Sequence, residues 1–385
     1  MERSSRTRTV VPFNRPFVTG GEIGYIEEAI AHAHLSGNGP FGRRCSEHIR
    51  DHLGSAAVLL TNSCTAALEM SALLANVGPG DEVILPSFTF SSTATAFVLR
   101  GAVPVFVDVR EDTLNLDERL VEAAITERTR AVVAVHYAGV GCAMDPLGEI
   151  ATRAGLMLIE DAAQGFGSTY RGAPLGTFGS LGALSFHETK NVISGEGGAL
   201  IINDPLLVER AEILHEKGTN RSTFFRGLTD KYTWVDVGSS FVASDLAAAF
   251  LWAQLEKAEW ITTQRLAIWS RYHELLADFE ARGLLRRPRV PEDVGHNAHL
   301  YYILLPTGKT RDDTLQHLAE SGVNAVFHYV PLHSSPAGRR FGRSMGELAI
   351  TEDVAARLLR LPIWVGMTDG DIEYVVKSLE GALAT

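Results

Sequence analysis

The stretch Leu156-Met-Leu-Ile-Glu-Asp161-Ala-Ala-Gln164 is an apolar run that ends in two acidic residues and is followed by small residues and a glutamine. A short apolar run of this kind is typical of a strand buried in a sheet, which places the acids at the strand's carboxyl end. Ligands of open α/β sheets bind at that edge. The stretch therefore predicts a functional carboxylate at Asp161, although a helix cap or a surface acid also fits these residues.

Similar apolar runs recur along the chain between stretches of helical character. Five of them are predicted to be strands: Val83–Leu85, Val103–Val107, Ala131–Val135, Leu156–Ile159 and Ala199–Ile202. Helices are predicted over Glu22–His34, Thr65–Ala75 and Leu116–Ile125. Strands that alternate with helices indicate βαβ units, so the sequence predicts an α/β protein with a large, mostly parallel sheet.

The pattern changes in the last third of the chain. Leu246–Ala281 is rich in helix-forming residues and lacks proline, which predicts one long helical region. Shorter elements are predicted after a proline-containing link: strands at Leu300–Leu305 and Ala325–Tyr329, and helices at Thr310–Glu320, near Glu352–Leu359 and at Asp369–Leu383. We predict a large α/β domain over residues 12–255 and a smaller α+β domain over residues 256–385.

The composition is that of an ordinary globular protein, with 385 residues of which 45% are apolar and 21% charged. A net charge of −11 argues against nucleic-acid binding and means that an anionic ligand needs a local basic pocket. The three cysteines form no metal-binding spacing, so we expect no metal and a cytoplasmic location. No apolar run is long enough to suggest a membrane span. We interpret Met1–Val10 as a tail rather than a transit peptide.

A second motif, Ser185-Phe-His-Glu-Thr-Lys190-Asn, leads into the glycine-rich stretch Gly195-Glu-Gly-Gly198. A lysine held in a pocket loses proton affinity, because its charged form is poorly solvated there, and its amine becomes a nucleophile. Taken alone, the pattern also fits a solvated surface lysine.

Two more motifs follow predicted strands. Leu60-Thr-Asn-Ser63-Cys64-Thr65 places small polar residues at the start of a helix, where they can bind a phosphate or simply cap the helix. Phe90, in Pro86-Ser-Phe-Thr-Phe90, could stack on a flat ring or pack in the core. Together the four motifs provide a phosphate cradle, an aromatic lid, a carboxylate and a lysine, which are the groups that pyridoxal 5'-phosphate (PLP) requires.

These motifs resemble the DegT/DnrJ/EryC1/StrS family of sugar aminotransferases over nearly the whole chain. The resemblance also rests on Val135-His-Tyr-Ala-Gly139, Glu216-Lys-Gly-Thr-Asn-Arg-Ser222 and Phe327-His-Tyr-Val-Pro-Leu-His333. It implies the aspartate aminotransferase-like fold (fold type I of PLP-dependent transferases), PLP as the cofactor, and a homodimer with shared active sites. The motifs are most similar to the enterobacterial-common-antigen type, which implies transfer of an amino group from L-glutamate to a TDP-4-keto-6-deoxyhexose.

The resemblance also assigns roles to individual residues. Lys190 corresponds to the lysine that bonds to the cofactor and shuttles the proton, Asp161 to the carboxylate at the pyridine nitrogen, and Gln164 to the residue near the ring hydroxyl. Phe90 corresponds to the stacking aromatic. The implied phosphate contacts are Ser63, Cys64, Thr65 and Ser185.

One stretch departs from the family pattern. Many members carry Asn and Arg in a Gly-x-Asn-x-Arg stretch that the neighbouring subunit supplies, whereas this chain has Gly238-Ser-Ser240-Phe-Val242. Ser240 could still donate a hydrogen bond to the phosphate, but Val242 cannot replace the charge of an arginine.

The nucleotide diphosphate needs basic or donor groups, which we predict in two places. Gly218–Trp234 is expected to be a loop with basic residues around it, and a strand of the small domain is expected to present histidines and a tyrosine. The predicted substrate residues are Lys217, Arg221, Lys231, His328, Tyr329 and His333. Each also fits a solvated charge or a core residue.

Two other functions stay open at this point. One is an aminotransferase that acts on a 3-keto nucleotide sugar. The other is a non-catalytic regulatory protein on the same fold, which would be expected to lack Lys190 or Asp161. The sequence does not predict whether the new amine is axial (galacto) or equatorial (gluco).

Overall fold

The architecture is that of a computed structural model, which describes residues 10–227 and 229–384. Residues 1–9, which make up most of the predicted tail, lie outside the described residues. None of the described helices combines the length and the apolar character that crossing a bilayer requires.

The described strands form three sheets. In chain order the strands are β1 (Ala57–Thr61), β2 (Glu82–Pro86), β3 (Val103–Val107), β4 (Thr129–Val135), β5 (Met157–Asp161), β6 (Thr169–Tyr170), β7 (Ala173–Pro174), β8 (Leu181–Ser185), β9 (Gly198–Ile202), β10 (Val294–Gly295), β11 (Tyr301–Leu304), β12 (Val326–Phe327), β13 (Arg343–Ser344) and β14 (Leu358–Leu361).

The largest sheet has eight strands in the order β1-β9-β8-β5-β4-β2-β3-β13. All neighbours from β8 to β13 are parallel, whereas β9 runs antiparallel to both β8 and β1. The reversal follows from the short connection between β8 and β9, which has no crossover helix. The predicted α/β fold with a large, mostly parallel sheet is confirmed.

Helices cover this sheet and also pack in the C-terminal part. They are α1 (Glu22–Ala31), α2 (Pro40–Leu53), α3 (Cys64–Leu74), α4 (Ser91–Val98), α5 (Glu118–Ala124), α6 (Met144–Ala154), α7 (Val208–His215), α8 (Arg221–Phe225), α9 (Asp245–Leu255), α10 (Ala258–Leu275), α11 (Ala277–Ala281), α12 (Arg311–Glu320), α13 (Pro336–Phe341), α14 (Ala349–Arg357) and α15 (Asp369–Ala384). Strands β2, β8 and β9 are buried along their whole length, as strands covered on both faces must be.

The C-terminal part contains a three-stranded antiparallel sheet in the order β11-β14-β12. An apolar core that includes residues of α10, α12 and α15 packs against it. The same part of the chain also contributes β13 to the large sheet, where it pairs with β3. The division into residues 12–255 and 256–385 stays a prediction.

Two expectations for secondary structure were wrong, and a third is refined. The predicted helical region Leu246–Ala281 consists of three helices, because the chain leaves helical geometry at Lys257 and Leu276. This break lets α9 pack on α1 and α2 while α10 packs on α15. Leu358 and Leu359 belong to β14 and not to a helix, because they pair with β11. The predicted loop Gly218–Trp234 contains the short helix α8.

Candidate active site

A cavity of about 750 Å³ lies at the carboxyl ends of the parallel strands. One wall comes from the large sheet and its helices, and the other from the C-terminal part. The cavity brings together most of the residues predicted to bind the cofactor, together with two predicted for the substrate: Ser63, Cys64, Thr65, Phe90, Asp161, Gln164, Ser185, Lys190, His328 and Tyr329.

Asp161 is the last residue of β5, and its side chain is buried. Its Oδ2 accepts a hydrogen bond from the hydroxyl of Thr93 at 2.7 Å, and its Oδ1 accepts one from the backbone N–H of Ala163 at 3.2 Å. A carboxylate that accepts hydrogen bonds at both oxygens is fixed in orientation. It can therefore hold a positive charge at a defined place in the cavity.

Lys190 follows β8, and its side chain is partly buried in the cavity. Burial lowers the pKa of Lys190 below the ordinary value for lysine, and the charge of Arg360 acts in the same direction, although attraction to Asp161 opposes both. A lowered pKa means that more of the amine is unprotonated near neutral pH, as a nucleophile or proton acceptor must be.

The turn before α3 has the features of an anion site. Ser63 caps the helix by accepting from the backbone N–H of Ala66 at 3.1 Å, and the hydroxyl of Thr65 hydrogen-bonds to that of Ser92 at 2.8 Å. Gly198 packs directly on this turn, where a Cβ atom would lie 2.4 Å from the backbone nitrogen of Cys64. Burial raises the pKa of Cys64, so its thiol stays neutral. The free N–H groups of the helix start are suited to a phosphate.

An aromatic and amide wall closes the other side of the cavity. The side-chain oxygen of Gln164 accepts from the backbone N–H of Ala138 at 2.7 Å, and its nitrogen donates to the hydroxyl of Tyr329 at 3.0 Å. The ring of Phe90 is largely exposed and lies 6.4 Å from that of Tyr329. Burial lowers the pKa of His328, which leaves a neutral imidazole beside these rings.

Five predicted site residues are not among those that line the cavity of this chain: Lys217, Arg221, Lys231, Ser240 and His333. The first four are exposed on the segment of residues 217–240. His333 instead connects two elements, since its Nδ1 lies 2.7 Å from the hydroxyl of Ser87 and its Nε2 lies 3.1 Å from the carboxylate of Glu352.

Several residues of the cavity were not predicted from the sequence, among them Thr93, Arg265, His299 and Arg360. Arg360 had a usable signal, because it is a lone charge in the apolar run Leu358–Leu361. Part of that run was predicted to be a helix, and the alternation of a strand, which places Arg360 on the opposite face from Leu359 and Leu361, was therefore not recognised. The other three residues have no distinctive local pattern.

The arrangement fits a flat, phosphorylated aldehyde. Gly198 packs on the start of α3, whose backbone N–H groups are suited to a phosphate, while Asp161 supplies a fixed carboxylate and Lys190 an amine of lowered pKa in the same cavity. These are the groups that PLP needs from a protein.

Comparisons with known proteins give a consistent result. The sequence model of the DegT/DnrJ/EryC1/StrS aminotransferase family matches residues 18–380. The spore coat polysaccharide biosynthesis protein SpsC of Bacillus subtilis is 33% identical over 377 residues, which cover 96% of each chain. The aminotransferase TlmJ from Streptoalloteichus hindustanus is 32% identical with a TM-score of 0.89, over 97% of this chain and 99% of TlmJ. Spr1654 from Streptococcus pneumoniae in its PLP-form is 25% identical with a TM-score of 0.89, over 98% of this chain and 99% of Spr1654.

Proposed function

The chain belongs to the DegT/DnrJ/EryC1/StrS aminotransferase family, and from this membership we propose that it transfers the amino group of L-glutamate to carbon 4 of a TDP-4-keto-6-deoxyhexose. It is a PLP-dependent sugar aminotransferase with the fold of the type I enzymes. The proposed product is a TDP-4-amino-4,6-dideoxyhexose of galacto or gluco configuration.

The observation that carries the proposal is the presence of Lys190 and Asp161 in one cavity. The lysine has a lowered pKa, and the carboxylate accepts hydrogen bonds at both oxygens. A regulatory protein on this fold would have no need for either feature. Their combination therefore supports a catalyst over a scaffold.

When bound, PLP supplies an electron sink for the pair of electrons that is released when a C–H bond next to the amino group breaks. In the proposed reaction the free amine of Lys190 takes the proton from the α-carbon of glutamate. It delivers a proton to carbon 4 of the sugar in the second half of the reaction. Asp161 would hold the positive charge that PLP carries when its ring nitrogen is protonated, and Gln164 would contact the ring hydroxyl.

We propose that the phosphate of the cofactor contacts Ser63, Cys64, Thr65 and Ser185, and that Phe90 stacks on its ring. His328 and Tyr329 are then left for the sugar. Because burial keeps His328 neutral, it can act there through hydrogen bonds and packing and not through charge.

The proposed assembly is a homodimer with shared active sites. Four predicted site residues are exposed in the single chain and do not line its own cavity: Lys217, Arg221, Lys231 and Ser240. Residues that contribute to the active site of a partner subunit are expected to be exposed in this way. The same segment exposes Trp234 at 77% and Phe225 at 70% of their surfaces. Exposed aromatic side chains of this size are typical of an interaction surface.

We propose the cytoplasm as the location of the protein because all three cysteines are free.

The test is an incubation of the PLP-loaded protein with TDP-4-keto-6-deoxy-D-glucose and L-glutamate, with the sugar product examined by NMR. A 4-amino product is expected, and the H3–H4 coupling distinguishes gluco (large) from galacto (small). Lys190→Ala serves as the inactive control. If glutamate bleaches the yellow colour but no amino sugar forms, this sugar is wrong and 3-keto-sugars become the next substrates to test.

A further inference from the structure

His299 is held in the wall of the cavity by a buried network of hydrogen bonds. The residue is only 8% exposed and lines the cavity. Nδ1 of its ring lies 3.1 Å from Oδ1 of Asn191, the residue that follows Lys190. Its backbone N–H donates to Oδ1 of Asn297 at 3.0 Å, and its carbonyl oxygen accepts from the guanidinium of Arg265 at 2.6 Å. The imidazole therefore has a defined place and orientation.

The same network determines which ring nitrogen of His299 carries the proton. Nδ2 of Asn191 donates to the backbone oxygen of Asn297 at 2.8 Å. A carbonyl oxygen can only accept, so this bond fixes the orientation of the amide, and Oδ1 of Asn191 must accept from His299. The proton of the neutral imidazole is therefore on Nδ1. Nε2 carries a lone pair and has no hydrogen-bond partner among the described residues.

His299 stays neutral, so its Nε2 remains an acceptor. Burial lowers the pKa of His299 well below the ordinary value of 6.5, and the positive charges of Lys190 and Arg265 act in the same direction. A buried acceptor without a partner is unfavourable, and a ligand that donates a hydrogen bond removes that cost. This part of the cavity wall is therefore suited to a donor group of the substrate.

Of the two substrates of the proposed reaction, only the sugar offers such a donor. L-Glutamate has two carboxylates, which accept hydrogen bonds, and one amino group, which is the group that is transferred. In the keto-sugar the carbonyl and phosphate oxygens also accept, the methyl group on carbon 5 forms no hydrogen bond, and the hydroxyl groups donate. The hydroxyl nearest to carbon 4 is the one on carbon 3.

We propose that Nε2 of His299 accepts a hydrogen bond from the hydroxyl group next to the carbonyl carbon of the sugar, which in a 4-keto-sugar is the hydroxyl on carbon 3. The proposal rests on the proposed function, because it assigns a residue that selects the sugar. Lys190 lines the same cavity, and its charge acts on His299, so the acceptor lies within electrostatic range of the amine that delivers the proton to carbon 4. The hydrogen bond orients the sugar ring for this proton transfer.

The first experiment needs only the wild type. The amine-loaded protein is given TDP-4-keto-6-deoxy-D-glucose or the analogue that lacks only the hydroxyl on carbon 3, and the return of the yellow colour gives kcat/KM for the second half of the reaction. The 3-hydroxy sugar is expected to have a kcat/KM about 10 to 100 times higher, because the analogue leaves the buried acceptor unpaired. Equal values for the two sugars overturn the proposal.

Two variants of His299 separate this contact from a structural role. An asparagine amide can replace Nδ1 and keep the bond to Asn191, whereas a glutamine amide reaches the position of Nε2 and keeps an acceptor in the cavity. His299→Asn is expected to lower kcat/KM for the 3-hydroxy sugar by about tenfold or more and to leave that for the 3-deoxy sugar unchanged. His299→Gln should retain most of the activity with both sugars. The half-reaction with L-glutamate, followed as the loss of yellow colour, should be the same in both variants as in the wild type.

A binding measurement gives a readout that involves no reaction. In calorimetric titrations of the PLP-free protein, His299→Asn should bind the 3-hydroxy sugar more weakly than the wild type by about tenfold, and should bind the 3-deoxy sugar equally well. The melting temperature of each variant shows whether the fold is kept. If neither variant folds, the comparison of the two sugars in the wild type decides.

The proposal is overturned if His299→Asn keeps the activity with the sugar and His299→Gln loses it, because only the bond to Asn191 would then matter. A loss that is equal for the two sugars, or equal in the two halves of the reaction, overturns it as well. A wild type that consumes L-glutamate but not this keto-sugar contradicts the proposed sugar alone, and the same comparison is then made with a 3-keto nucleotide sugar and its analogues without a neighbouring hydroxyl. A wild type that aminates neither sugar contradicts the proposed function and this proposal together.

Discussion

The hydroxyl of Thr93 donates a hydrogen bond of 2.7 Å to Oδ2 of Asp161. Thr93 lies in α4, the helix that follows β2, and Asp161 is the last residue of β5. Strand β4 separates β5 from β2 in the sheet, so the bond connects two βα units that are not adjacent. The same threonine hydroxyl lies 2.9 Å from that of Thr89. The side chain of Thr93 thus holds the carboxylate of Asp161 in place without a proposed part in the reaction.

Thr93→Val is expected to weaken the binding of PLP. Valine keeps the shape of the side chain but removes the donor, which leaves Asp161 without one of its two hydrogen bonds. Losing one hydrogen bond to a charged group costs about 1.5–3 kcal/mol, so the dissociation constant should rise at least about tenfold. Thr93→Ser keeps the hydroxyl and should bind PLP nearly as well as the wild type. Equal affinities for the valine and serine variants would contradict the role given to this bond.

Gly198→Ala is expected to disrupt the predicted phosphate turn. The new Cβ would lie 2.4 Å from the nitrogen of Cys64 and 2.5 Å from the carbonyl carbon of Ser63, and both are backbone atoms that cannot rotate away. The turn must move, and we expect PLP affinity to fall by about tenfold or more, as measured by absorbance titration. Gly148→Ala is the control, because a Cβ there meets no atom within 4 Å and the residue lies inside helix α6. It should leave PLP affinity unchanged and stabilise the fold slightly.

Much of the fold was predictable because the strands of a parallel sheet carry a strong local signal. Val103–Val107 was predicted with its observed limits, and the ends of the other predicted strands of the large sheet differ by at most two residues. The position of Asp161 followed from the same signal, since an acid after a buried strand has to lie at the sheet edge. Strand β14 was missed because its pairing with β11 and β12 is a long-range contact that the local pattern Leu-Leu-Arg-Leu does not reveal.

The candidate site was predictable mainly on the side formed by the large sheet, since only His328 and Tyr329 were predicted on the opposite wall. Ser63, Asp161 and Lys190 follow strands, and their local motifs are distinctive. The opposite wall depends on how the C-terminal part packs, and a residue such as Arg265 reaches the cavity through tertiary packing alone. The exposed segment that contains Lys217 and Ser240 could not be placed relative to a cavity from sequence, because an exposed charge has the same local pattern wherever it lies.

Glu82→Gln is expected to destabilise the protein at neutral pH. Glu82 begins β2 and is fully buried, and it hydrogen-bonds to Arg343 of β13 and to Arg128. The hydrogen bond from Arg343 is the main cause of a pKa for Glu82 of about 2, although burial opposes it. Because both arginines are partly exposed, we expect a loss of about 1–3 kcal/mol in the free energy of unfolding.

The pH dependence of this loss follows from the lowered pKa. The folded protein keeps the ionised carboxylate down to about pH 2, whereas the unfolded chain binds a proton near the ordinary value of 4.5. The stabilisation by Glu82 is therefore complete above that value and is lost as the pH falls through the folded-state pKa. Denaturant unfolding of the wild type and Glu82→Gln should converge toward pH 2. Glu122→Gln, which removes an exposed pair with Arg153, should change stability by less than about 1 kcal/mol at any pH.

Lys190→Met is expected to stabilise the protein when PLP has been removed. Burial lowers the folded-state pKa of Lys190, so between that value and the ordinary 10.5 the unfolded chain binds more protons than the folded one. The free energy of unfolding of the wild type therefore rises with pH in this range, and below it the full cost of burying the ammonium is present. Methionine has a similar length and no charge, and the variant should melt about 1–3 °C higher than the wild type at pH 7, a difference that shrinks as the pH approaches 10. If the difference in melting temperature between the variant and the wild type does not change with pH in this range, the Lys190 amine is solvated in the PLP-free protein. Burial would then not explain its reactivity.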